Sequence, residues 1–270
     1  MALIQIEKET CTKCGICAAA CGGGLIIFKE GSYPRQAPGT DEFCMRCGHC
    51  VGICPTGSLT HKEMPETPLI KKSLETSFAQ CAQLIKSRRS IREFKDKDVP
   101  KEEIESIIDV ARYAPTGHNM QEVQWLVIND RKQMRKLAAI GADWLRFMVK
   151  SNPQFSALFA GIIRALDAGI DVFFHDAPAA VVAYSEKGNT IAATDCAIAL
   201  GYFDLAAITA GLGCCWDGFF YMAAGTYPPM VEALALPEGF APYVALVVGY
   251  PKYKYQRIPA RRPARIIYRT

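Results

Sequence analysis

The sequence predicts an α+β chain in two parts, and three observations lead there. Eight of the twelve cysteines lie between Cys11 and Cys54 as two copies of one spacing. A proline-bearing stretch of mixed charge follows them. Behind it, short apolar runs alternate with longer amphipathic segments, the pattern of one sheet packed between helical layers.

The first copy is Cys11-x2-Cys14-x2-Cys17-x3-Cys21 and the second is Cys44-x2-Cys47-x2-Cys50-x3-Cys54, with Pro55 closing it. This is the spacing of two 4Fe-4S clusters in a bacterial-ferredoxin-like domain, in which the fourth cysteine of each run ligates the other cluster. Cys11, Cys14, Cys17 and Cys54 are therefore assigned to one cluster, and Cys44, Cys47, Cys50 and Cys21 to the other. Zinc ribbons present separated C-x2-C pairs rather than two triplets each with a spaced fourth ligand. Disulfide frameworks belong to short secreted chains, and residues 1–10 carry Glu7 and Glu9 with no apolar core behind them. One departure stands out: Gly22, Gly23 and Gly24 follow Cys21 where a proline is usual, which predicts a looser turn there.

The expected boundaries are a cluster domain over 1–62, a linker over 63–76 and a second domain over 77–270. Residues 61–68 hold Pro65 and Pro68 among mixed charges, a semi-rigid connection. With 270 residues, half of them apolar, the chain can bury a substantial second core. A net charge of +4 is too small to argue for nucleic acid or an anionic membrane surface. The charge is unevenly placed, however. No acidic residue follows Glu238, whereas Lys252, Lys254, Arg257, Arg261, Arg262, Arg265 and Arg269 do. Such a tail is either a solvated basic arm or a source of phosphate ligands. The apolar stretch 190–216 contains Asp195 and Asp204, so it reads as a core or interface helix rather than a membrane span. Clusters of this kind imply a reducing, cytoplasmic setting.

In the second domain, residues 77–86 are helical in composition and run into the basic cluster 87–92. Pro100 opens a helix whose apolar face is Ile104, Ile107, Ile108 and Ala111, and Pro115 and Gly117 end it. Residues 123–128, 179–184 and 243–248 are apolar runs of strand length, and 213–216 adds a fourth. No G-x-G-x-x-G follows a strand and no G-x4-G-K-[ST] is present, so a Rossmann or P-loop site is unsupported. Residues 141–175 carry Trp144, Phe147, Met148, Phe155, Phe159, Phe173 and Phe174, at spacings that mostly indicate core packing.

Four motifs in order resemble the FMN-dependent nitroreductase family. They are Arg88-Arg89-Ser90-Ile91-Arg92-Glu93-Phe94, then Ala114-Pro115-Thr116-Gly117-His118-Asn119-Met120-Gln121, then Asp195 to Leu200 leading into Ala210-Gly211-Leu212-Gly213, and last Leu246 to Pro251. The whole chain resembles the subgroup with a two-cluster ferredoxin module fused in front. The resemblance implies a central, mainly antiparallel sheet flanked by helices. It also implies an FMN cofactor beside the two 4Fe-4S clusters, and a homodimer whose interface includes the 190–209 helix.

The FMN residues it implies suit that cofactor's chemistry. A phosphate dianion needs cations in a fixed fork, and the ring gains negative charge at N1 and O2 on reduction. Arg88 and Ser90 match the phosphate positions and Arg92 the N1/O2 position. Arg89 either shares the phosphate or points to solvent. Pro115, Thr116 and Gly117 match the loop that approaches the ring. Asn119 matches an amide at the ring edge, although a turn would also favour Asn. Gly211 and Gly213 match close backbone approaches, although a tight turn also uses glycine. Arg261 and Arg262 are the tail residues chosen for the phosphate. The sequence departs from the family where Glu122 and Val123 follow Gln121 in place of Pro-Trp, which leaves the pocket wall open.

Other chemistry is poorly supported. Cys81, Cys196, Cys214 and Cys215 lack dithiol spacing, and the four histidines lack metal-ligand spacing. Of these only His118 sits where a substrate could touch it. The implied activity is that of a nitroreductase-like flavin oxidoreductase, passing electrons between clusters and FMN to a nitroaromatic, quinone or similar small-molecule acceptor, with ferredoxin or NAD(P)H as donor. The alternatives are an electron-transfer adapter docking on a larger redox complex, and a flavin-modifying enzyme.

Overall fold

The computed structural model describes residues 3–65, 67–152 and 154–269; Glu66 of the expected linker lies outside them, as do Met1, Ala2, Pro153 and Thr270. The chain divides into two units, Met1–Glu75 with Thr116–Met120, and Thr76–Pro115 with Gln121–Thr270.

The first unit runs β1 (Ile4–Ile6), α1 (Ile16–Ala19), β2 (Ile26–Ile27), β3 (Arg35–Gln36), α2 (His49–Gly52) and β4 (Leu59–His61). β1 pairs antiparallel with β4 and β2 with β3. Each one-turn helix is entered through a glycine of positive φ, Gly15 and Gly48, two residues after a basic residue of positive φ, Lys13 and Arg46. Gly15 also has no room for a side chain, because the Phe28 ring occupies the place of a Cβ. The buried core is Ile4, Cys17, Ile26, Val51 and Leu59. A core of this size contributes little stability by itself, and small modules of this kind commonly depend on metal ligation.

The second unit begins with α3 (Phe78–Ser87) and α4 (Lys101–Ala111), then β5 (Gln124–Ile128), α5 (Arg131–Ser151), α6 (Gln154–Asp167) and β6 (Ala179–Glu186). It continues with α7 (Ala192–Thr209), β7 (Gly213–Trp216), α8 (Gly218–Thr226), α9 (Pro228–Leu234) and β8 (Phe240–Gly249). Ser77 opens α3 with a reciprocal capping box to Gln80. The four strands form one sheet in the order β5-β6-β8-β7, with every pairing antiparallel. The run 179–183 is apolar at every position because both faces of the sheet are covered. Ala180 and Val182 face a core with Trp144, Phe173 and Phe220. Ala179, Val181 and Ala183 face a second core with Ile104, Leu200 and Phe203.

Among the described residues α7 has the length and hydropathy of a membrane-crossing helix by composition alone. Its side chains Cys196, Ala199, Leu200, Phe203 and Ala207 are instead built into the second core. The aromatics of 141–175 divide as their spacing suggests: Trp144, Phe159, Phe173 and Phe174 are buried, and Phe147 is exposed.

Gly141 lies inside α5, and a Cβ there would stand 2.6 Å from the buried Phe173 ring. Helix propensity alone favours Gly141→Ala by about 1 kcal/mol. The packed ring reverses the sign, and a net loss of about 1–2 kcal/mol is expected. Denaturant unfolding of the two proteins checks this, and a gain in stability would refute it.

Candidate cofactor sites

In the first unit the repeated turns bring Cys11, Cys14, Cys17 and Cys54 to the wall of one cavity, with Gly15, Pro55 and Leu59 around them. Burial pushes the Cys17 thiol up, and the neighbouring Cys54 and Cys14 add to the shift. Burial likewise pushes Cys50 up, with Cys21, Cys47 and Cys44 adding to it. Each group of four cysteines near one another in space thus includes one from the other run. Cys54 behaves differently. Burial raises it, but the backbone N–H groups of Thr56, Leu59 and Ser58 and the Thr56 hydroxyl outweigh burial and leave it below the ordinary thiol value. Hydrogen-bond donors that favour the thiolate favour the form that binds iron. Among the described residues no three Cys, His, Asp or Glu side chains converge as on a single metal ion. Four thiols spread around one cavity fit a multi-iron cluster, the group named by their spacing.

In the second unit the basic segment lies beside the sheet. The Ile91 N–H donates to the Cys214 carbonyl at 2.9 Å, and Lys95 N–H to the Tyr250 carbonyl at 2.8 Å. Arg92 thereby lines a cavity of about 310 Å³ with Val172, Phe173, His175, Cys215, Trp216, Asp217, Gly218, Phe219, Met222 and Val247. That volume lies at the lower end of the range of about 300–1,000 Å³ found for small-molecule sites. Its walls are mostly apolar, with a few polar groups among them.

Those polar groups are electrostatically unusual. Asp217 caps α8 by accepting from the Phe220 N–H at 2.8 Å, while its Oδ2 is buried with no partner among the described residues. Burial, opposed by the Phe220 N–H and helped by Asp171, pushes its carboxyl up to about 7. Burial and then the Arg92 charge lower His175, so both groups favour their neutral forms. Cys215 is raised by burial, against the pull of Arg92 and the Ser90 hydroxyl. Cys196 reaches about 12 by burial. These thiols are inert hydrophobes, as their spacing suggests.

The predicted FMN residues distribute unevenly. Arg88 reaches Asp204, Arg89 donates to the Arg88 carbonyl, Ser90 adjoins Cys215, and Arg92 lines the cavity. Gly211 has a φ of 81° at the end of α7, and Gly213 has no room for a Cβ because Ile91 and Pro251 pack there. Turn and packing thus account for both glycines. Pro115 precedes a segment, Thr116–Met120, that groups with the first unit. There the Asn119 amide donates to the carbonyls of Met45 and Arg46, at 3.2 and 3.0 Å. Arg261 and Arg262 lie on an exposed irregular tail. His175, Asp217 and Gly218 escaped sequence reasoning. The one local signal was Asp217-Gly218 directly after the strand, a helix N-cap dipeptide at a sheet end.

Comparison with known proteins agrees with this fold. A solved nitroreductase with bound FMN from Bacteroides fragilis shares the fold, with a TM-score of 0.56 at 20% identity, over 70% of this chain and 98% of that one. One from Desulfitobacterium hafniense, also with bound FMN, has a TM-score of 0.56 at 24% identity, over 69% and 96%. An FMN reductase [NAD(P)H] of Bacillus subtilis is 30% identical over 63% of this chain and 66% of its own length. Residues 10–59 match the 4Fe-4S dicluster domain. Residues 85–250 match the Nitroreductase family, and the chain belongs to that family.

The raised Asp217 carboxyl predicts a pH dependence. Between about 3.9, its unfolded value, and the folded value the native state holds a proton that the unfolded chain has released, so stability falls as pH rises through this window. Asp217→Asn keeps an N-cap and removes the titration. From pH 5 to pH 8 the variant should gain about 2–3 kcal/mol on the wild type in paired denaturant titrations. A constant difference would show that Asp217 is ionised throughout.

Proposed function

We propose that this protein is an FMN- and iron-sulfur-dependent oxidoreductase that passes electrons between 4Fe-4S clusters and a flavin to reduce a nitroaromatic, a quinone or a similar electrophile. The observation that carries the reading is the apolar cavity walled by Arg92, in a chain that also assembles two cysteine quartets. The FMN reductase activity named for the Bacillus relative and the FMN bound in the Bacteroides structure support it.

When bound, the clusters exchange single electrons and the flavin converts these to two-electron chemistry. The chain's own groups fit that task. Arg92 places a permanent cation at the cavity, where negative charge on a reduced ring would be stabilised. Arg88, Arg89 and Ser90 would hold the phosphate, and the buried Arg89 Nε, without a partner among the described residues, suits an anion. Phe173, Phe219, Met222 and Val247 supply apolar lining against which a flat ring would pack. The roles of Pro115, Thr116, Gly117, Asn119, Arg261 and Arg262 rest on the family resemblance alone.

A homodimer belongs to the same reading. α3 buries none of its described residues, and a helix of its length is marginal in water without a partner. Leu84, Val110, Tyr202 and Leu205 line an open apolar groove of about 550 Å³ between α3, α4 and α7. A second copy covering it would satisfy all three helices. Sedimentation velocity should give a dimer, and a monomer that retains FMN would remove this part.

The test of the function is an anaerobic titration of purified protein, following flavin bleaching optically and reduced clusters by EPR. Reduced ferredoxin should bleach the flavin through the clusters, and adding a nitroaromatic or quinone should restore the oxidised spectrum. NADH or NADPH bleaching followed by a cluster signal would instead assign the flavin as the entrance. A flavin that neither donor reduces would overturn the reading and favour the adapter.

A further inference from the structure

Asp204 is hard to explain by packing. It lies on α7, a helix apolar around its circumference, and is only 3% exposed. A leucine would fill such a place, whereas a buried carboxylate carries a desolvation cost that must be recovered by its partners. Its Oδ2 is met from two directions. The Trp216 Nε1–H donates to it at 3.0 Å, and the Arg88 guanidinium stands 3.5 Å away. Its Oδ1 is buried without a partner among the described residues. Burial raises the carboxyl, and Trp216 and Arg88 oppose that shift.

The two partners come from separate elements and meet at one carboxylate oxygen. Trp216 ends β7 and lines the same cavity as Arg92. Arg88 follows α3, and with no buried residue in that helix its position is not fixed by a local core. The Arg88 carbonyl is held by the Arg89 guanidinium at 2.6 Å, which orders the backbone but leaves the Arg88 side chain to be oriented by another group. Asp204 is that group. A guanidinium has five donors, so one edge can meet a carboxylate while others stay available to a phosphate.

We propose that Asp204 is a positioning residue that pre-sets Arg88 for the phosphate of a flavin mononucleotide and, through Trp216, fixes that end of the site against the wall of the ring cavity. The assignment rests on the FMN reading above. It makes selection of a phosphorylated flavin over the bare riboflavin ring a property of α7, not only of the basic segment.

The experiment titrates the full-length protein, freed of flavin, with FMN and with riboflavin, and compares Asp204→Asn, Asp204→Leu, Arg88→Ala and the Arg88→Ala/Asp204→Asn double variant. Asp204→Asn is expected to weaken FMN by about tenfold and riboflavin by less than about twofold, a loss of preference that general destabilisation would not produce. The double variant should bind FMN no worse than Arg88→Ala alone, because the two residues act as one unit. Trp216→Phe should shift the preference in the same direction. An Asp204→Asn protein with the wild-type FMN-to-riboflavin preference, tighter FMN binding, or losses that add to those of Arg88→Ala would overturn the assignment. Should Asp204→Leu fail to fold, the near-isosteric Asn variant carries the test. Wild-type protein that binds neither flavin, or both equally, would overturn the FMN reading itself, and this assignment with it.

Discussion

Residues 91–95 are laid along the ends of β7 and β8 by backbone hydrogen bonds from Ile91 to Cys214 and from Lys95 to Tyr250, with Lys252 returning one to the Glu93 carbonyl. The basic side chains before and within this segment take their places from that seating. Two glycines make room for it. A Cβ on Gly213 would strike Ile91 and Pro251, and one on Gly249 would strike Phe94 and Pro178. The two glycines sit opposite one another in the β7–β8 pairing. The site is therefore held by main-chain pairing, which is insensitive to surface substitution, while its chemistry is carried by a few side chains.

The parts of this architecture legible in the sequence are those with local causes. The apolar runs that became β6, β7 and β8 were visible as runs, since a strand covered on both faces needs apolar residues throughout. The α4 face was visible from Ile104, Ile107 and Ala111, all buried. The cysteine quartets were visible because the spacing encodes the crossing. The strand order β5-β6-β8-β7 was not visible, because β7 enters the sheet at its edge beside a later strand. The cavity was hidden for the same reason. His175, Asp217 and Arg92 lie far apart in sequence and meet only when the sheet closes. The partners of the Asn119 amide were hidden too, because the Met45 and Arg46 carbonyls it meets lie more than seventy residues away.

The interior of the second unit is economical with charge. Two of its buried carboxyl groups have a donor at hand: Asp204 meets Trp216 of β7, and Asp217 meets the Phe220 N–H of the helix it caps. The buried thiols are raised by the same desolvation, Cys196 to about 12 and Cys214 well above its ordinary value. Near neutral pH these thiols carry no charge, which leaves Arg92 as the permanent charge on the cavity wall. Arg92 is itself exposed, so its charge reaches the cavity partly screened by solvent.

The missing proline after Cys21 bears on how the first unit holds two clusters with so little core. In both halves the residue three after the fourth cysteine returns a hydrogen bond to that cysteine's carbonyl, Gly24 to Cys21 at 2.9 Å and Gly57 to Cys54 at 3.3 Å. Both glycines have positive φ, 63° and 66°. The turn is therefore set by a glycine at its end, a position where a β-branched residue would be strained. Proline at the next position only stiffens one copy. Both copies also tie the turn to the ligand sulfur: the Leu25 N–H donates to the Cys21 sulfur at 3.3 Å, and the backbone N–H groups of Thr56, Leu59 and Ser58 meet that of Cys54. Equivalent geometry is reached with different residues, so the repeat is better defined by its backbone than by its residues.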